Sequence, residues 1–386
     1  MQKIVVSLLS SMLLVAGCAA PPPAPPADPP AAAWLQSLVD AVGNRRVAQL
    51  GESGHGMAET YRLKTDIVRH LHEQQGFDLL AVEGGIAECW VAEQRLAEWT
   101  AGQAMRACFW GAWASEEAEQ LFEYLQAAAA AGRPIRLVGF DNSPTSRAFS
   151  DWIEATPGLP ASLAEAERNF LRIFSGDFTG EEGLAQVQAA AAAGFQAALQ
   201  AGVEPMLAMI IEDRLATLAF DPAQFDRAAF ERLREQRMAV NLLRHIQRLP
   251  GSRVVVWAHN AHVAHAYSKF VGDVPRQGEF VHGALGDDVY TLGVYALGGR
   301  GYAWFIDQEY DLRVPEAGSL EARLAALDGS PVFLDLGPAA AAQHPWILQP
   351  VTSFEWGLQE QVIVPAEMYD GLLLIREVTP ITRPGD

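Results

Sequence analysis

Lysine is almost missing from this chain, occurring only at Lys3, Lys64 and Lys269, so arginine carries nearly all the positive charge. With 28 Lys and Arg against 47 Asp and Glu the formal net charge is −19, and no run of basic residues offsets it. A phosphate backbone would be repelled, which argues against nucleic acid as a partner. Cysteine is scarce as well, at Cys18, Cys89 and Cys108 only. There is no Cys-x-x-Cys, no His-Glu-x-x-His and no Gly-x-Ser-x-Gly. These absences speak against a structural zinc site, a zinc peptidase and a serine hydrolase built on a nucleophile elbow. No internal repeat is visible, and beyond the N-terminus no apolar run is long enough to span a bilayer.

What is present reads as a folded enzyme. Half of the 386 residues are hydrophobic and 19% are charged, enough for one large α/β domain with an insertion or for two ordinary domains. The first residues differ. Lys3, the apolar stretch Ile4 to Gly17 and the small residues before Cys18 read as a lipoprotein signal peptide over 1–17, with lipidation at Cys18; an ordinary cleaved signal is the alternative. Residues 18–33, rich in Pro and Ala, favour extended polyproline II and read as a tether. Together they predict an exported protein attached to a membrane by its lipid, and Ala19 after Cys18 points to the outer membrane, facing the periplasm. Cys89 and Cys108 then remain, with two buried thiols as the default reading and a disulfide as the alternative that export allows.

Short runs rich in Val, Leu and Ile alternate with helical patterns over 34–380, predicting a largely parallel central sheet flanked by helices, with a short tail at 381–386. Arg46 to Leu50 leads into Gly51-Glu52-Ser53-Gly54-His55, and Leu79 to Val82 into Glu83. Ile135 to Phe140 leads into Asp141, and Arg253 to Trp257 into His259-Asn260-Ala261-His262. If these runs are parallel neighbours, four segments bring polar groups to one sheet edge, where open α/β sheets bind ligands. Runs at Val289 to Val294, Pro331 to Leu336 and Gly371 to Ile375 would complete the sheet. Between the third and fourth runs, about 145–250, the pattern is helical and longer than a crossover needs, which predicts an insertion forming a cap over the strand ends.

Several residues could carry chemistry. Glu52 and His55 in a Gly-rich turn suit a carboxylate-oriented imidazole base. Glu83 at a strand end could be acid, base or orienter, and Asp141 reads better as fold support. His259 and His262 follow a buried strand, whereas His70, His72 and His245 lie on helical patterns and read as solvated. Glu59, Arg62 and Lys64 fall in the first turns of the next helix; cations there oppose the helix dipole and suit a facing carboxylate or oxyanion, with solvated charges as the alternative.

These segments resemble the erythromycin esterase family. The resemblance rests on Gly51-Glu52-x-x-His55-Gly56, Glu59-x-x-Arg62-x-Lys64, Glu83, Trp113-x-x-Glu116 and Gly139-Phe140-Asp141. It continues through Arg234-Glu235-x-x-Met238-Ala239-x-Asn241, Trp257-Ala258-His259-Asn260-Ala261-His262 and Tyr369-Asp370-Gly371-Leu372, in order over most of 45–380. Gly54 stands where Thr or Ser usually precedes the histidine. The resemblance implies an α/β core with a helical portion and, as in members that confer macrolide resistance, hydrolysis of a lactone without a metal or other cofactor. By position it makes His55 the water-activating base, with Glu52, Glu83, His259 and His262 around it. It leaves Glu59, Arg62, Lys64, Trp113, Glu116, Asp141, Arg234 and Asn260 as candidate substrate contacts. The expected oxyanion donors are Lys64, Arg62 or the His259 and His262 pair. Two other readings stay open. The same ligand types could serve a metal-dependent hydrolase, and a surface lipoprotein could use the cleft to bind a hydrophobic or haem-like ligand.

Overall fold

The computed structural model describes residues 33–176, 183–220 and 226–383. The signal peptide, Cys18, nearly all of the Pro-rich tether and the last three residues of the tail lie outside them.

Among the described residues eleven strands are formed: β1 Val47–Leu50, β2 Leu79–Gly85, β3 Arg136–Asp141, β4 Val254–Trp257, β5 Val289–Ala296, β6 Arg300–Ala303, β7 Gln308–Asp311, β8 Val332–Asp335, β9 Val351–Glu355, β10 Gln359–Ile363 and β11 Gly371–Ile375. Seven make the central sheet, in the order β3-β2-β4-β1-β5-β11-β8. Every pairing in it is parallel except β8 against β11. β1, β2 and β4 are buried along their whole length. That is why they read as unbroken apolar runs rather than alternating ones: helices cover both faces of a parallel sheet. The chain runs outward through β1, β2 and β3, then returns to insert β4 between β2 and β1. The strands that end in Glu83, His259 and Glu52 are therefore adjacent.

The expected insertion between β3 and β4 is formed by helices Ala148–Ala155, Ala161–Ser175, Leu184–Ala201, Pro205–Thr217 and Arg227–Arg248. Most of it shares an apolar core with helix Ile86–Gln94, including Phe149, Leu163, Phe170, Phe195 and Ile210. It is also pinned there by charge. Arg214, fully buried, reaches Glu88 at 2.8 Å and Glu167 at 3.1 Å. Helix Arg227–Arg248, capped by Asp226 on the backbone N–H of Ala229, instead packs on the sheet and aims Arg234 at the strand ends.

Two expectations need correction. Cys89 and Cys108 are joined by a disulfide, not held as thiols. It ties helix Ile86–Gln94 to the end of helix Ala101–Cys108, just before the segment that carries Trp113. His72 and His245 are buried rather than solvated, because the helix faces that carry them pack inward: His72 meets the Tyr124 hydroxyl at 2.7 Å and His245 the Gly139 carbonyl at 3.1 Å. His70 is half-buried, its Nδ1 2.8 Å from the Asp66 carbonyl. Two antiparallel hairpins, β6–β7 and β9–β10, escaped the sequence reading, and both bear on the site. Among the described residues no helix is long and apolar enough to cross a membrane.

Candidate active site

β1 ends at Leu50, and the turn after it carries Glu52 and His55. Gly56, at φ +79°, lets the chain turn sharply into helix Ala58–Gln75; a Cβ there would lie 2.0 Å from the Tyr302 carbonyl of the β6–β7 hairpin. Glu52 is fully buried and saturated with donors. His55 Nδ1 lies 2.6 Å and Trp113 Nε1 2.7 Å from its Oε1, and Lys64 Nζ lies 2.8 Å from its Oε2. Burial pushes the Glu52 carboxyl up, but the Lys64 ammonium and the His55 imidazole more than offset it, so the group is held below the usual carboxylate range. An ionised carboxylate only accepts, so His55 carries a proton on Nδ1, and Nε2 is the nitrogen left for a reacting proton.

Lys64 is as buried as its partner. It lies on the inward stripe of its helix with Tyr61, Ile67, Val68 and Leu71, under the Trp257 ring at 4.3 Å and within 3.2 Å of the Ala258 carbonyl. Burial draws its pKa down, and Glu52 opposes this. With its ammonium committed to Glu52, Lys64 stabilises the orienting carboxylate instead of meeting an oxyanion directly.

A second network occupies the ends of β2, β3 and β4. Glu83 Oε1 lies 3.0 Å from Arg234 and 3.1 Å from His262 Nε2, while its Oε2 accepts the His259 backbone N–H at 3.0 Å. Arg234 also forks onto Asp141, with Nε at 3.1 and 3.2 Å from the two oxygens. His262 Nδ1 meets Glu235 at 2.8 Å, and Glu235 is held in turn by Arg276 at 3.0 Å. Burial opposes a charged His262, yet the two carboxylates win and raise its pKa to about 9. Glu235, penalised by burial but facing His262 and two arginines, is lowered to about 2. His262 is thus an imidazolium with both nitrogens taken.

His259 is the opposite case. Its Nδ1 accepts the Ala261 N–H at 3.1 Å, so its proton sits on Nε2. Burial, helped by His55 and His262, lowers its pKa to about 3 and keeps the ring neutral. The His55 and His259 rings lie 5.1 Å apart, with Trp113 4.5 Å and Trp356 4.8 Å from His55.

Of the expected residues, the fold brings together Glu52, His55, Lys64, Glu83, Trp113, Asp141, Arg234, His259 and His262. It places four elsewhere. Glu59 accepts from Thr379 at 2.7 and 2.9 Å; Arg62, about half exposed, pairs with Glu59 and Glu117; and the Glu116 N–H donates to the Thr382 carbonyl. These three clamp the C-terminal segment, because they sit on helix faces turned away from the strand ends. Asn260 is buried with its amide bonded to both backbone groups of Val294, so it braces β5. Glu235, Glu355 and Trp356 went unassigned. Glu235 adjoins Arg234 in the motif and could have been suspected. Trp356 and Glu355 sit at a hairpin turn, Trp356-Gly357, that lacks the usual Asn-Gly signature. Among the described residues no group of three or more His, Cys, Asp or Glu is disposed to hold a metal ion.

The chain is 25% identical to YbfO of Bacillus subtilis (strain 168), a protein named as an inferred hydrolase, over 90% of this chain and 86% of that one. Solved structures share its fold. One is a Bacillus cereus protein, with TM-score 0.73 at 17% identity, covering 90% of this chain and 92% of the other. A succinoglycan biosynthesis protein gives 0.71 at 19%, with the same coverage. An erythromycin esterase mutant, EreC, in its open conformation gives 0.61 at 16%, covering 91% of this chain and 95% of the other. The erythromycin esterase family itself matches residues 72–378, most of the sequence, and the chain belongs to that family.

Proposed function

We propose that the protein hydrolyses a carboxylic ester or lactone, with water activated by His55 and no covalent intermediate. The family and the inferred-hydrolase relative support hydrolysis in general. One observation carries the finer reading: two imidazoles lie edge-on 5.1 Å apart, His55 with its Nδ1 bonded to Glu52 and His259 with its Nδ1 accepting from the Ala261 N–H, so that Nε2 is the working nitrogen of each. His55 Nε2 takes a proton from water while the oxygen attacks the carbonyl carbon. The His259 Nε2–H is the donor for the oxyanion, since Lys64 and His262 are fully engaged and Arg62 is at the surface. On collapse the proton held by His55 passes to the leaving alkoxide, giving acid and alcohol. A macrolide lactone is the substrate expected from the family name. The buried disulfide and the N-terminal signal pattern support work outside the cytoplasm, on a lipid tether to the outer membrane in the periplasm.

The test is incubation of wild type and His55→Ala with a panel of lactones and esters including erythromycin, with and without chelator, read by mass. Gain of one water in the wild type only, unaffected by chelator, is the expected result. No gain across the panel would remove macrolide and simple-ester hydrolysis.

A further inference from the structure

The β9–β10 hairpin brings to the site a carboxyl that no sequence motif marks. Glu355 ends β9, one residue before Trp356, and only 2% of its surface is exposed. Neither of its oxygens has a hydrogen-bond partner. Among the described residues the basic group within ion-pair distance is His259, whose Nε2 stands 3.4 Å from Oε2 and is itself unpartnered. The other titratable groups facing it bring no positive charge: Glu321 of helix Leu320–Ala325, Tyr267 of helix Tyr267–Phe270, Tyr295 of β5 and Tyr369 before β11. Trp356 lies against the His259 ring at 5.7 Å and fixes the hairpin over it.

We propose that Glu355 is a positioning residue for hydrolysis, holding the His259 imidazole so that its Nε2–H points at the reacting carbonyl and the ring takes no second proton. The inference rests on the role given to His259 above. A buried carboxylate without a cation is costly, and Glu321 adds like charge, so burial first and Glu321 second hold Glu355 well above the usual carboxylate range. A neutral carboxyl oxygen 3.4 Å from Nε2 competes only weakly for its hydrogen, so the Nε2–H stays available to a stronger acceptor when an oxyanion forms. An ionised Glu355 would keep that hydrogen for itself and draw a second proton onto the ring, breaking the Ala261 contact. Activity should therefore fall as pH rises through the elevated pKa of Glu355.

The experiment compares wild type, Glu355→Gln and Glu355→Leu as full chains, using erythromycin and 4-nitrophenyl acetate as probes and circular dichroism to confirm folding. Gln is neutral at every pH and keeps a carbonyl acceptor, so it should hold kcat within about threefold while its alkaline limb moves upward, whereas Leu should lose roughly 10²-fold in kcat with KM little changed. A Gln variant as slow as Leu, or with the wild-type pH profile, would overturn the proposal. Nitrogen-15 histidine NMR of the same chains reads the ring directly: one proton on His259 Nε2 in wild type and Gln, and in Leu a ring that has let go of the Ala261 N–H and samples both tautomers. If neither probe is hydrolysed, the hydrolase reading fails on its own and the NMR result alone judges Glu355; a second proton on wild-type His259 near neutrality would overturn it.

Discussion

Lys64 illustrates how far a residue's role depends on its neighbours. By sequence it sits near a helix start, where a cation opposes the dipole. The apolar spacing of Tyr61, Ile67, Val68 and Leu71 nonetheless puts it on the buried face, where Glu52 waits. Lys64→Met should leave Glu52 buried without its cation, which costs about 3–5 kcal/mol of stability in urea unfolding and weakens the carboxylate that orients His55. His55→Ala should fold normally and lose roughly 10² to 10⁴-fold in kcat; retention of most activity would sink the base assignment. His262 supplies a pH signature. Its folded pKa of about 9 exceeds the ordinary histidine value, so its stabilisation is complete below about pH 6.5 and disappears as pH rises through 9. Unfolding free energy should therefore drop between these values by about 3 kcal/mol more in wild type than in His262→Gln, and parallel curves would refute the imidazolium. Glu52, His55 and Glu83 were legible because turn and strand-end positions advertise polar chemistry. Which nitrogen of each histidine bears a proton was not, since that is set by contacts such as Ala261 on His259 and Glu235 on His262.

Among the elements, the β9–β10 hairpin and the turn after β1 are fitted to each other. The Trp356 N–H donates to the Ser53 carbonyl, and a Cβ on Gly54 would come within 2.9 Å of the Trp356 Cα. Trp356 has φ +58° at the hairpin turn, a conformation a non-glycine residue adopts only when its surroundings hold it. Gly54 thus makes room for the tryptophan that walls His55. Gly54→Thr should push the hairpin outward, shifting Trp fluorescence and raising KM; a variant with unchanged fluorescence and kinetics would show that the contact gives way freely. The clamp at the start of helix Ala58–Gln75 behaves differently. Arg62→Ala should leave kcat unaltered and cost at most about 1 kcal/mol, because the ion pairs it loses are partly exposed.

For the whole molecule, the insertion is held to the sheet's companion helix through Arg214 and two buried carboxylates. Burial raises Glu88 to about 7, so the cluster is finely balanced even with its arginine present. Arg214→Ala should cost roughly 3–5 kcal/mol and loosen the insertion before the sheet, as seen by hydrogen exchange. Exchange that rises evenly across the chain would argue against such a division. The sequence by itself determined the alternation of strands and helices, the places where strands end in chemistry, and the long helical excursion between β3 and β4. These follow from local periodicity and from polar residues at the ends of apolar runs, which adjacent residues suffice to express. Tertiary structure alone decided that β4 slots between β1 and β2, that Lys64 serves Glu52, that His259 stays neutral while His262 is charged, and that Glu355 comes to rest beside His259. Each of those outcomes depends on burial and on side chains from different elements, and both come into being only when the sheet closes its order.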